Sequence, residues 1–424
     1  MIVTSEKSLL EGTITVPASK SHTIRAVILG ALASGESIIE SPLDSFDTHS
    51  AVEAVKALGA GIETGQDMWV VTGLEGKPRV PENVIDVGNS GTTLYMIMGT
   101  VSLADGWTVL TGDQQIRRRT TAYLMDALRG LGVETFSTRG NGMAPIVVKG
   151  PIKGGRTTVR GVTSQYVSSL LMACPLAGHD SEITVYELNE RPYVDMTLNW
   201  LDYLGVNVET DDDLRSITIP GKQTYRSFTR KIPGDFSSAT FLICAGVLAG
   251  GTVILDGLEM DDPQGDKVVI DILRLMGADI RLSERSVIIR GGKLKGMEVD
   301  MNSIPDAIPM LTVCACFAEG TTVLYNVPQA RLKETDRIAV MASELKKLGA
   351  DVKELPDGLT IKGTGLKTGE VHGHDDHRIV MAMAIAGCAA DGPVTIDTAE
   401  AAGVTFPGFW DTMRSLGARF TMKS

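Results

Sequence analysis

Apolar and polar residues alternate with a helical period in six separate segments of the chain. Each segment carries apolar residues near positions i, i+3, i+4 and i+7, ends in a Leu-Gly or Met-Gly pair and runs into a short strand-like stretch. Glycine at this point predicts a left-handed helix stop, which residues with a Cβ resist. The recurrence of these glycines at intervals of 68 to 73 residues predicts a repeated folding unit. They are Gly59, Gly132, Gly205, Gly277, Gly349 and Gly417.

A second series of six segments interleaves with the first and is apolar almost all round. These segments are rich in Ala, Gly, Met and Cys, so each predicts a helix that is buried on every side. A strand-like stretch precedes each of them. The repeated α/β unit therefore combines one buried helix, one surface helix and several strands. The segments are IRAVILGALASG, LYMIMGTVSLADG, YVSSLLMACPLAG, ATFLICAGVLAGG, IPMLTVCACFAEG and RIVMAMAIAGCAADG.

Six units divide naturally between two domains, since a chain of 424 residues exceeds one ordinary core. Three units per domain place the boundary near residues 225–232. A strand at 13–16 precedes the first unit, and the last unit ends without an equivalent strand. We therefore expect residues 1–18 to complete the domain of residues 229–424, with 19–228 forming the other domain. The two chain crossings then predict a stiff double hinge.

Composition narrows the classes of function. The chain is 43% hydrophobic and 22% charged with a formal net charge of -12, which is typical of a globular protein and disfavours nucleic acid or an anionic membrane as partner. An anionic small molecule stays possible, because a cleft can be basic in an acidic protein. Neither a signal-like start nor an apolar run of about 18 residues is present, so a cytoplasmic location is expected.

The cysteine and histidine pattern gives little support for a metal. The five cysteines lie in apolar stretches, as reduced and buried thiols do. His372, His374 and His377 around Asp375 and Asp376 are a minor alternative as a metal site, because no other dense His/Cys group supports it. We expect no metal and no organic cofactor. The cysteines are Cys174, Cys244, Cys314, Cys316 and Cys388.

Unusually polar motifs precede the six buried helices. A helix start offers free N–H groups and the positive end of the helix dipole, so these motifs predict sites for phosphates and carboxylates. Each also has a purely local interpretation: Ser19, Ser21 or Thr163 as helix caps, Arg25 as a solvated residue and Asp306 as a dipole partner. The motifs are PASKSHTIR, VGNSGTT, GVTSQY, IPGDFSS, IPDAIP and GHDDHR.

Two basic clusters favour anion binding more strongly. Arg117, Arg118 and Arg119 follow a Gly-Asp pair, and the fork geometry of guanidinium groups suits carboxylate or phosphate, although a solvated loop is an equal alternative. Lys333 and Arg337 stand one turn apart at a helix start, where the helix dipole alone would disfavour cations. An anionic ligand would explain both.

The ordered set of motifs carries a family resemblance. The pieces are S-K-S-x-x-x-R at Ser19–Arg25, G-N-S-G-T-T at Gly88–Thr93, G-D-x-x-x-R-x-R at Gly112–Arg119, S-Q at Ser164–Gln165, R-P-Y at Arg191–Tyr193, P-D-A at Pro305–Ala307, K-E-T-D-R at Lys333–Arg337, D-H-R at Asp376–Arg378 and T-F-P at Thr405–Pro407. Over about residues 7–420 the chain resembles the 5-enolpyruvylshikimate-3-phosphate synthase family of enolpyruvyl transferases.

The resemblance implies both a fold and a reaction. The fold is two domains, each of three βαβαββ repeats around buried parallel helices, an inside-out α/β barrel with the active site in the interdomain cleft. The reaction transfers the enolpyruvyl group of phosphoenolpyruvate to the 5-hydroxyl of shikimate 3-phosphate, by addition and then elimination of phosphate with domain closure. It serves aromatic amino acid (chorismate) biosynthesis. A monomer without cofactors is implied.

The resemblance also implies residue roles. Asp306 is the expected base, with Lys20 and Glu334 as candidates for proton transfer at C3. The residues expected to bind phosphoenolpyruvate are Lys20, Gly91, Arg119, Gln165, Arg337 and Arg378. Those expected to bind shikimate 3-phosphate are Lys20, Ser21, Arg25, Thr163, Ser164, Gln165, Tyr193, Asp306, Gln329 and Lys333.

The sequence departs from the family pattern at several positions. Val404 replaces a Lys, Tyr95 an Arg, Thr120 a Pro and Gln329 an Asn. Glu190 stands where a Ser helps to bind the acceptor's phosphate, and a carboxylate beside a phosphate is unfavourable unless a cation compensates.

These departures keep alternatives open. One is an unphosphorylated cyclitol acid as acceptor, and another is a lyase or dehydratase that does not use phosphoenolpyruvate. The sibling transferase that acts on UDP-N-acetylglucosamine is disfavoured, because residues 114–119 contain no Cys. A non-catalytic relative is disfavoured by the survival of the charged motif residues.

Overall fold

The computed structural model describes residues 1–283 and 286–423. The helices within these residues are α1 (Lys20–Leu32), α2 (Phe46–Ala57), α3 (Gly91–Val101), α4 (Ala122–Gly130), α5 (Ser164–Ala173), α6 (Arg191–Tyr203), α7 (Phe236–Ala249), α8 (Val269–Met276), α9 (Ile308–Cys316), α10 (Arg337–Lys347), α11 (His377–Ala389) and α12 (Phe409–Ser415).

The strands follow the repeat in chain order. They are β1 (Ile2–Glu6), β2 (Gly12–Thr15), β3 (Glu36–Glu40), β4 (Gly61–Thr64), β5 (Met68–Thr72), β6 (Ile85–Asp86), β7 (Trp107–Thr111), β8 (Glu134–Ser137), β9 (Ile146–Lys149), β10 (Gly155–Gly161), β11 (Ser181–Leu188), β12 (Glu209–Thr210), β13 (Ser216–Ile219), β14 (Thr229–Lys231), β15 (Val253–Asp256), β16 (Ala278–Leu282), β17 (Ser286–Gly292), β18 (Glu298–Asp300), β19 (Thr321–Tyr325), β20 (Asp351–Leu355), β21 (Gly358–Lys362), β22 (Lys367–Val371), β23 (Asp391–Ile396) and β24 (Arg419–Lys423).

The strands form sheets of four, and all the sheets share one topology. In the order β10-β11-β13-β12, for example, the first pair is parallel and the next two pairs are antiparallel. A parallel pair needs a crossover, and a buried helix supplies it, as α5 does between β10 and β11. The predicted α/β repeat is therefore confirmed. The remaining sheets are β14-β3-β5-β4, β6-β7-β9-β8, β16-β17-β15-β2, β18-β19-β21-β20 and β22-β23-β1-β24.

The two predicted helix types are confirmed. Every residue of α3 is buried, whereas α8 buries one face and exposes the other. The six repeat glycines all adopt positive φ; Gly277, with φ 112°, ends α8 in the left-handed region. The hydrophobic pattern of each helix therefore matches its packing: one helix of each repeat is buried on all sides, and the other packs one face on the core and exposes the opposite face.

Two compact units divide the chain. The C-terminal unit joins Met1–Pro17 to Pro233–Ser424, and the N-terminal unit is Ala18–Ile232. Each unit has its own hydrophobic core and three of the sheets. The bounds differ from the predicted division chiefly at β14, because this strand pairs with β3 and so lies in the N-terminal unit.

The N-terminal strands complete the C-terminal unit. β1 lies between β23 and β24, and β2 pairs in parallel with β15. β2 precedes α1 in the chain, but it is the edge strand of the sheet that contains β15, which follows α7. Conversely, β14 precedes α7, but it is the edge strand of the sheet that contains β3, which follows α1. The chain exchanges these two opening strands between its units.

Two further features can be read from the described residues. None of their helices has the length and apolar character needed to cross a membrane. The five cysteines are buried and free, as the apolar surroundings in the sequence predicted.

Candidate active site

Lys20 opens α1 in the N-terminal unit and is held by a carboxylate. Ser19 caps the helix, because its Oγ accepts a hydrogen bond from the N–H of His22 at 3.4 Å. Lys20 Nζ lies 3.0 Å from Oδ2 of Asp47 in α2, and both side chains are largely buried. Asp47 therefore positions the ammonium group. Asp47 was not predicted from the sequence, because the two residues meet only through the packing of α1 against α2.

Arg25 is a buried cation with uncharged partners. Its Nε donates to Thr197 Oγ1 at 2.8 Å, Nη1 to the carbonyl of Ser21 at 3.0 Å, and Nη2 to Ser168 Oγ at 3.3 Å and the carbonyl of Tyr193 at 2.9 Å. Burial lowers the pKa of Arg25 to about 9. The interpretation of Arg25 as a solvated residue is wrong. A buried charge that meets only neutral oxygens is a strong candidate to bind an anion.

Arg119 lies over the start of α3. A Cβ on Gly91 would stand 2.1 Å from Arg119 Nη1, so only glycine leaves room for the guanidinium group there. Arg119 is buried, whereas Arg117 and Arg118 are exposed. The anion-binding interpretation therefore suits Arg119, and the solvated-loop alternative suits its two neighbours. An anion at the start of α3 would meet positive charge from both the helix dipole and the guanidinium group of Arg119.

Two side chains fix the loop that carries Arg119. Asp113 Oδ2 accepts from Asn89 Nδ2 at 2.5 Å, which ties the loop to the segment before α3. Tyr166 in α5 donates from its hydroxyl to the carbonyl of Thr120 at 2.7 Å, one residue after Arg119. Neither contact was predicted, because both depend on segments that are distant in the sequence.

A carboxylate covers the start of α5. Glu190 Oε2 accepts from Thr163 Oγ1 at 3.0 Å, from Ser164 Oγ at 2.9 Å and from Ser164 N at 3.3 Å. Glu190 is buried, and its backbone is left-handed with φ 58°. Thr163 caps α5, as its local interpretation predicted. The adjacent Gln165 has a buried Oε1 that finds no hydrogen-bond partner among the described residues.

Asp306 gathers three cations in the C-terminal unit. Its Oδ1 lies 2.9 Å from Arg337 Nη1 and 3.7 Å from Lys333 Nζ, and its Oδ2 lies 3.1 Å from Arg378 Nη2. Burial alone would raise the pKa of Asp306, but Arg378, Lys333 and Arg337 outweigh it and hold this pKa well below its usual range. Asp306 is therefore far more than a helix-dipole partner.

Arg337 is surrounded by carboxylates. Besides Asp306, its Nε and Nη2 donate to Asp376 at 2.9 and 3.1 Å, and Nη2 also donates to Glu334 at 2.5 Å. Burial would lower the pKa of Arg337, but the three carboxylates raise it above its ordinary value. Asp376 also caps α11 by accepting from the N–H of Arg378 at 2.9 Å. Asp376 thus positions two predicted ligands, a role that the sequence analysis missed although the D-H-R motif contains it.

His377, which the sequence suggested only as a minor candidate for a metal ligand, lies in this cluster of charges. It is buried beside these charges, and its Nε2 has no hydrogen-bond partner among the residues that the structure describes. Desolvation lowers its pKa to about 4, against the raising effect of Glu334 and Asp376, so the ring is neutral at pH 7. Gln329 donates from Nε2 to the carbonyl of Asn302 at 2.9 Å, and its Oε1 is buried without a hydrogen-bond partner in the described part of the chain. Within residues 1–283 and 286–423, no hydrogen bond or ion pair joins Gln329 to the Asp306 cluster.

Two of the three histidines considered as a metal site, His372 and His374, pair with carboxylates. His372 Nδ1 lies 2.6 Å from Asp397 Oδ1, and His374 Nε2 lies 3.1 Å from Glu344 Oε1. In residues 1–283 and 286–423, no group of three or more His, Cys, Asp or Glu side chains is arranged to hold a metal ion.

Two departures from the family pattern have plain structural settings. Tyr95 packs edge-on against Tyr166, with ring centroids 5.1 Å apart, so it supports the residue that holds the Arg119 loop. Val404 ends a short 3-10 helix at Ala399–Val404.

Comparison with known proteins extends these observations. A solved structure of EPSP synthase from Acinetobacter baumannii matches with a TM-score of 0.83 and 28% sequence identity over 100% of both chains. The chain therefore has the fold of the enolpyruvyl transferases, with two α/β units built from repeats and buried cations at the helix starts.

The sequence comparisons identify the family within that class. The family model described as "EPSP synthase (3-phosphoshikimate 1-carboxyvinyltransferase)" matches residues 4–413, and the chain belongs to this family. A protein of Acetivibrio thermocellus named 3-phosphoshikimate 1-carboxyvinyltransferase is 53% identical over 99% of both chains. One of the same name from Methanococcus vannielii is 45% identical over 98% of this chain and 99% of that protein. The predicted family and enzyme class are confirmed.

Proposed function

We propose that this chain transfers the enolpyruvyl group of phosphoenolpyruvate to the 5-hydroxyl of shikimate 3-phosphate and releases phosphate. The observation that carries the proposal is the contact of one carboxylate, Asp306, with Lys333, Arg337 and Arg378. Such a group supplies a base together with counter-charges for anionic substrates. The names of the relatives support the same reaction.

The first step is an addition. The acceptor's 5-hydroxyl oxygen bonds to C2 of phosphoenolpyruvate, its proton passes to Asp306, and C3 takes up a proton from Lys20 or Glu334. The product of this step is a tetrahedral adduct that still carries the phosphate.

The second step is an elimination. The bond from C2 to the phosphate oxygen breaks, C3 loses a proton to the group that supplied it, and the enol ether forms as inorganic phosphate leaves. The proton from Asp306 is returned to solvent or to the leaving phosphate. Neither step uses a cofactor.

The cations of the C-terminal unit link substrate binding to the base. While Arg378 and Arg337 bond to Asp306, its pKa is too low for an effective base. A substrate carboxylate that bonds to these two arginines neutralises part of their charge. The pKa of Asp306 then rises toward a useful value, so phosphoenolpyruvate binding itself activates the base.

The remaining ligands follow the predicted division. The ligands proposed for phosphoenolpyruvate, in addition to Arg337 and Arg378, are Lys20, Gly91, Arg119 and Gln165. The ligands proposed for shikimate 3-phosphate are Lys20, Ser21, Arg25, Thr163, Ser164, Gln165, Tyr193, Asp306, Gln329 and Lys333.

Phosphate release from phosphoenolpyruvate, measured with and without shikimate 3-phosphate, tests the proposal. We expect release only when both are present, and a loss of about 10²–10⁴ in kcat for Asp306→Asn, which removes the base. Asp411→Asn is the matched control, since Asp411 is 87% exposed. A wild-type protein that releases no phosphate from the pair would overturn the function, and wild-type turnover by Asp306→Asn would overturn the base.

A second acceptor is favoured by one observation. Glu190 occupies the donors at the start of α5, where an acceptor phosphate is expected to bind. Unphosphorylated shikimate is therefore the second candidate acceptor, and it belongs in the same assay. The monomeric state and the cytoplasmic location stay predictions from the sequence.

A further inference from the structure

The hydrogen bonds of Glu190 use the same donors that a phosphate would need. Thr163 Oγ1 and Ser164 Oγ each have one proton, and each donates to Glu190 Oε2, at 3.0 and 2.9 Å. The N–H of Ser164 also points to this oxygen, at 3.3 Å. While Glu190 holds these three donors, neither hydroxyl has a proton left for another anion.

The position of Glu190 is fixed from both sides. Its carbonyl accepts from the N–H of Tyr193 at 3.0 Å in the first turn of α6, and its side chain is buried against the start of α5. Its backbone is left-handed, a conformation that a residue with a Cβ keeps only where its surroundings determine it. The carboxylate is therefore a built-in anion and not a mobile surface group.

Arg25 gives an independent sign that an external anion binds near the first turn of α6. It is buried, all four of its hydrogen bonds go to uncharged oxygens, and one of these is the carbonyl of Tyr193, in the helix turn that Glu190 begins. A guanidinium group in this setting gains most from an anionic ligand. Within the described part of the chain, no carboxylate pairs with Arg25, whereas Glu190 already pairs with the donors at the start of α5.

We propose that Glu190 determines acceptor specificity: its carboxylate competes with the acceptor's phosphate for the donors at the start of α5. A phosphorylated acceptor binds only by displacing the carboxylate. Glu190 therefore weakens the binding of a phosphorylated acceptor and reduces its advantage in affinity over an unphosphorylated one. The inference rests on the proposed function, because it concerns the acceptor of that reaction.

Calorimetric titration of two variants with shikimate 3-phosphate and with shikimate tests the inference. Glu190→Gln keeps the shape and removes the charge, and Glu190→Ser removes the competitor. Because an apposed like charge is unfavourable, we expect the Kd for shikimate 3-phosphate to fall about tenfold or more in both variants, with little change for shikimate. Glu187→Gln is the matched control, since Glu187 has the same φ of 58° but is exposed and pairs with Arg160.

The outcomes separate the possibilities. Selective tightening toward shikimate 3-phosphate supports competition. Equal changes for both acceptors, weaker binding of the phosphorylated one, or no change would overturn it and leave Glu190 as a support of α5; thermal melts show whether a variant is folded. Failure of the proposed function is distinct, because it would appear as absent phosphate release in the wild-type protein.

Discussion

Arg25 and Arg337 are both fully buried, yet their surroundings differ. Arg337 donates to three carboxylates, which raise its pKa, whereas Arg25 donates only to uncharged oxygens, and burial lowers its pKa to about 9. A substrate anion at Arg25 therefore meets a cation that bonds to no carboxylate of the described residues, while one at Arg337 must share the group with Asp306, Glu334 and Asp376. We infer that an anionic substrate group gains more binding free energy from a contact with Arg25 than from a contact with Arg337.

His377 makes stability depend on pH in a defined window. Desolvation lowers its folded-state pKa from 6.5 to about 4, so between these pH values the unfolded chain binds a proton that the folded chain does not. Its contribution to stability is complete above pH 6.5 and is lost as the pH falls to 4. At 1.36 kcal/mol per pKa unit, the loss is about 3 kcal/mol.

Denaturant unfolding of wild type and His377→Gln at several pH values checks this prediction. We expect the variant to lose less stability than wild type between pH 6.5 and 4. His179→Gln serves as control, because His179 is exposed. Parallel curves for wild type and His377→Gln would refute the assignment. The low pKa values of Asp306 and Asp376 act in a different window, below the usual carboxylate pKa of 3.8.

At the scale of elements, α5 supports the loop that carries Arg119. The hydroxyl of Tyr166 donates to the carbonyl of Thr120, and burial keeps the pKa of Tyr166 well above its ordinary value, so the donor proton is retained. We expect Tyr166→Phe to raise the KM for phosphoenolpyruvate several-fold with little change in kcat, because Arg119 loses its alignment. The lost hydrogen bond also costs about 1 kcal/mol of stability.

Tyr225→Phe separates these two effects. Tyr225 is buried like Tyr166, and its hydroxyl donates to the carbonyl of Met172 at 2.9 Å, away from the arginine loop. The control should therefore lose similar stability while its KM for phosphoenolpyruvate stays at the wild-type value. If the KM for phosphoenolpyruvate rose equally in both variants, the effect of Tyr166→Phe would come from the general loss of stability and not from the alignment of Arg119.

The sequence predicted the elements better than the contacts between them. Helix period and glycine stops are local signals, so both helix series and the six stops could be predicted. The partners of site residues could not: Asp47 meets Lys20, and Glu190 meets Thr163, only after helices have packed. The motif comparison marked Glu190 as unusual but could not show which donors it holds.

At the scale of the whole molecule, the exchange of β2 and β14 joins the two units by two chain crossings. The first strand pairs with strands from the other end of the sequence, since β1 pairs with β23 and β24. This arrangement was predicted only in part: the missing strand of the last unit indicated it, but the identity of both exchanged strands depends on pairings over long sequence distances.

A pair of matched substitutions tests which unit the N-terminus stabilises. Val3 in β1 and Val71 in β5 are both fully buried, in the cores of the C-terminal and N-terminal units respectively. Truncation of either to Ala removes two methyl groups from a packed core and costs about 2 kcal/mol. Hydrogen exchange should then show faster exchange in β23 and β24 for Val3→Ala, although these strands lie at the opposite end of the sequence. For Val71→Ala it should show faster exchange in β3 and β4 and leave β23 and β24 protected. Faster exchange of β3 in Val3→Ala, with β23 unchanged, would contradict the observed pairing of β1.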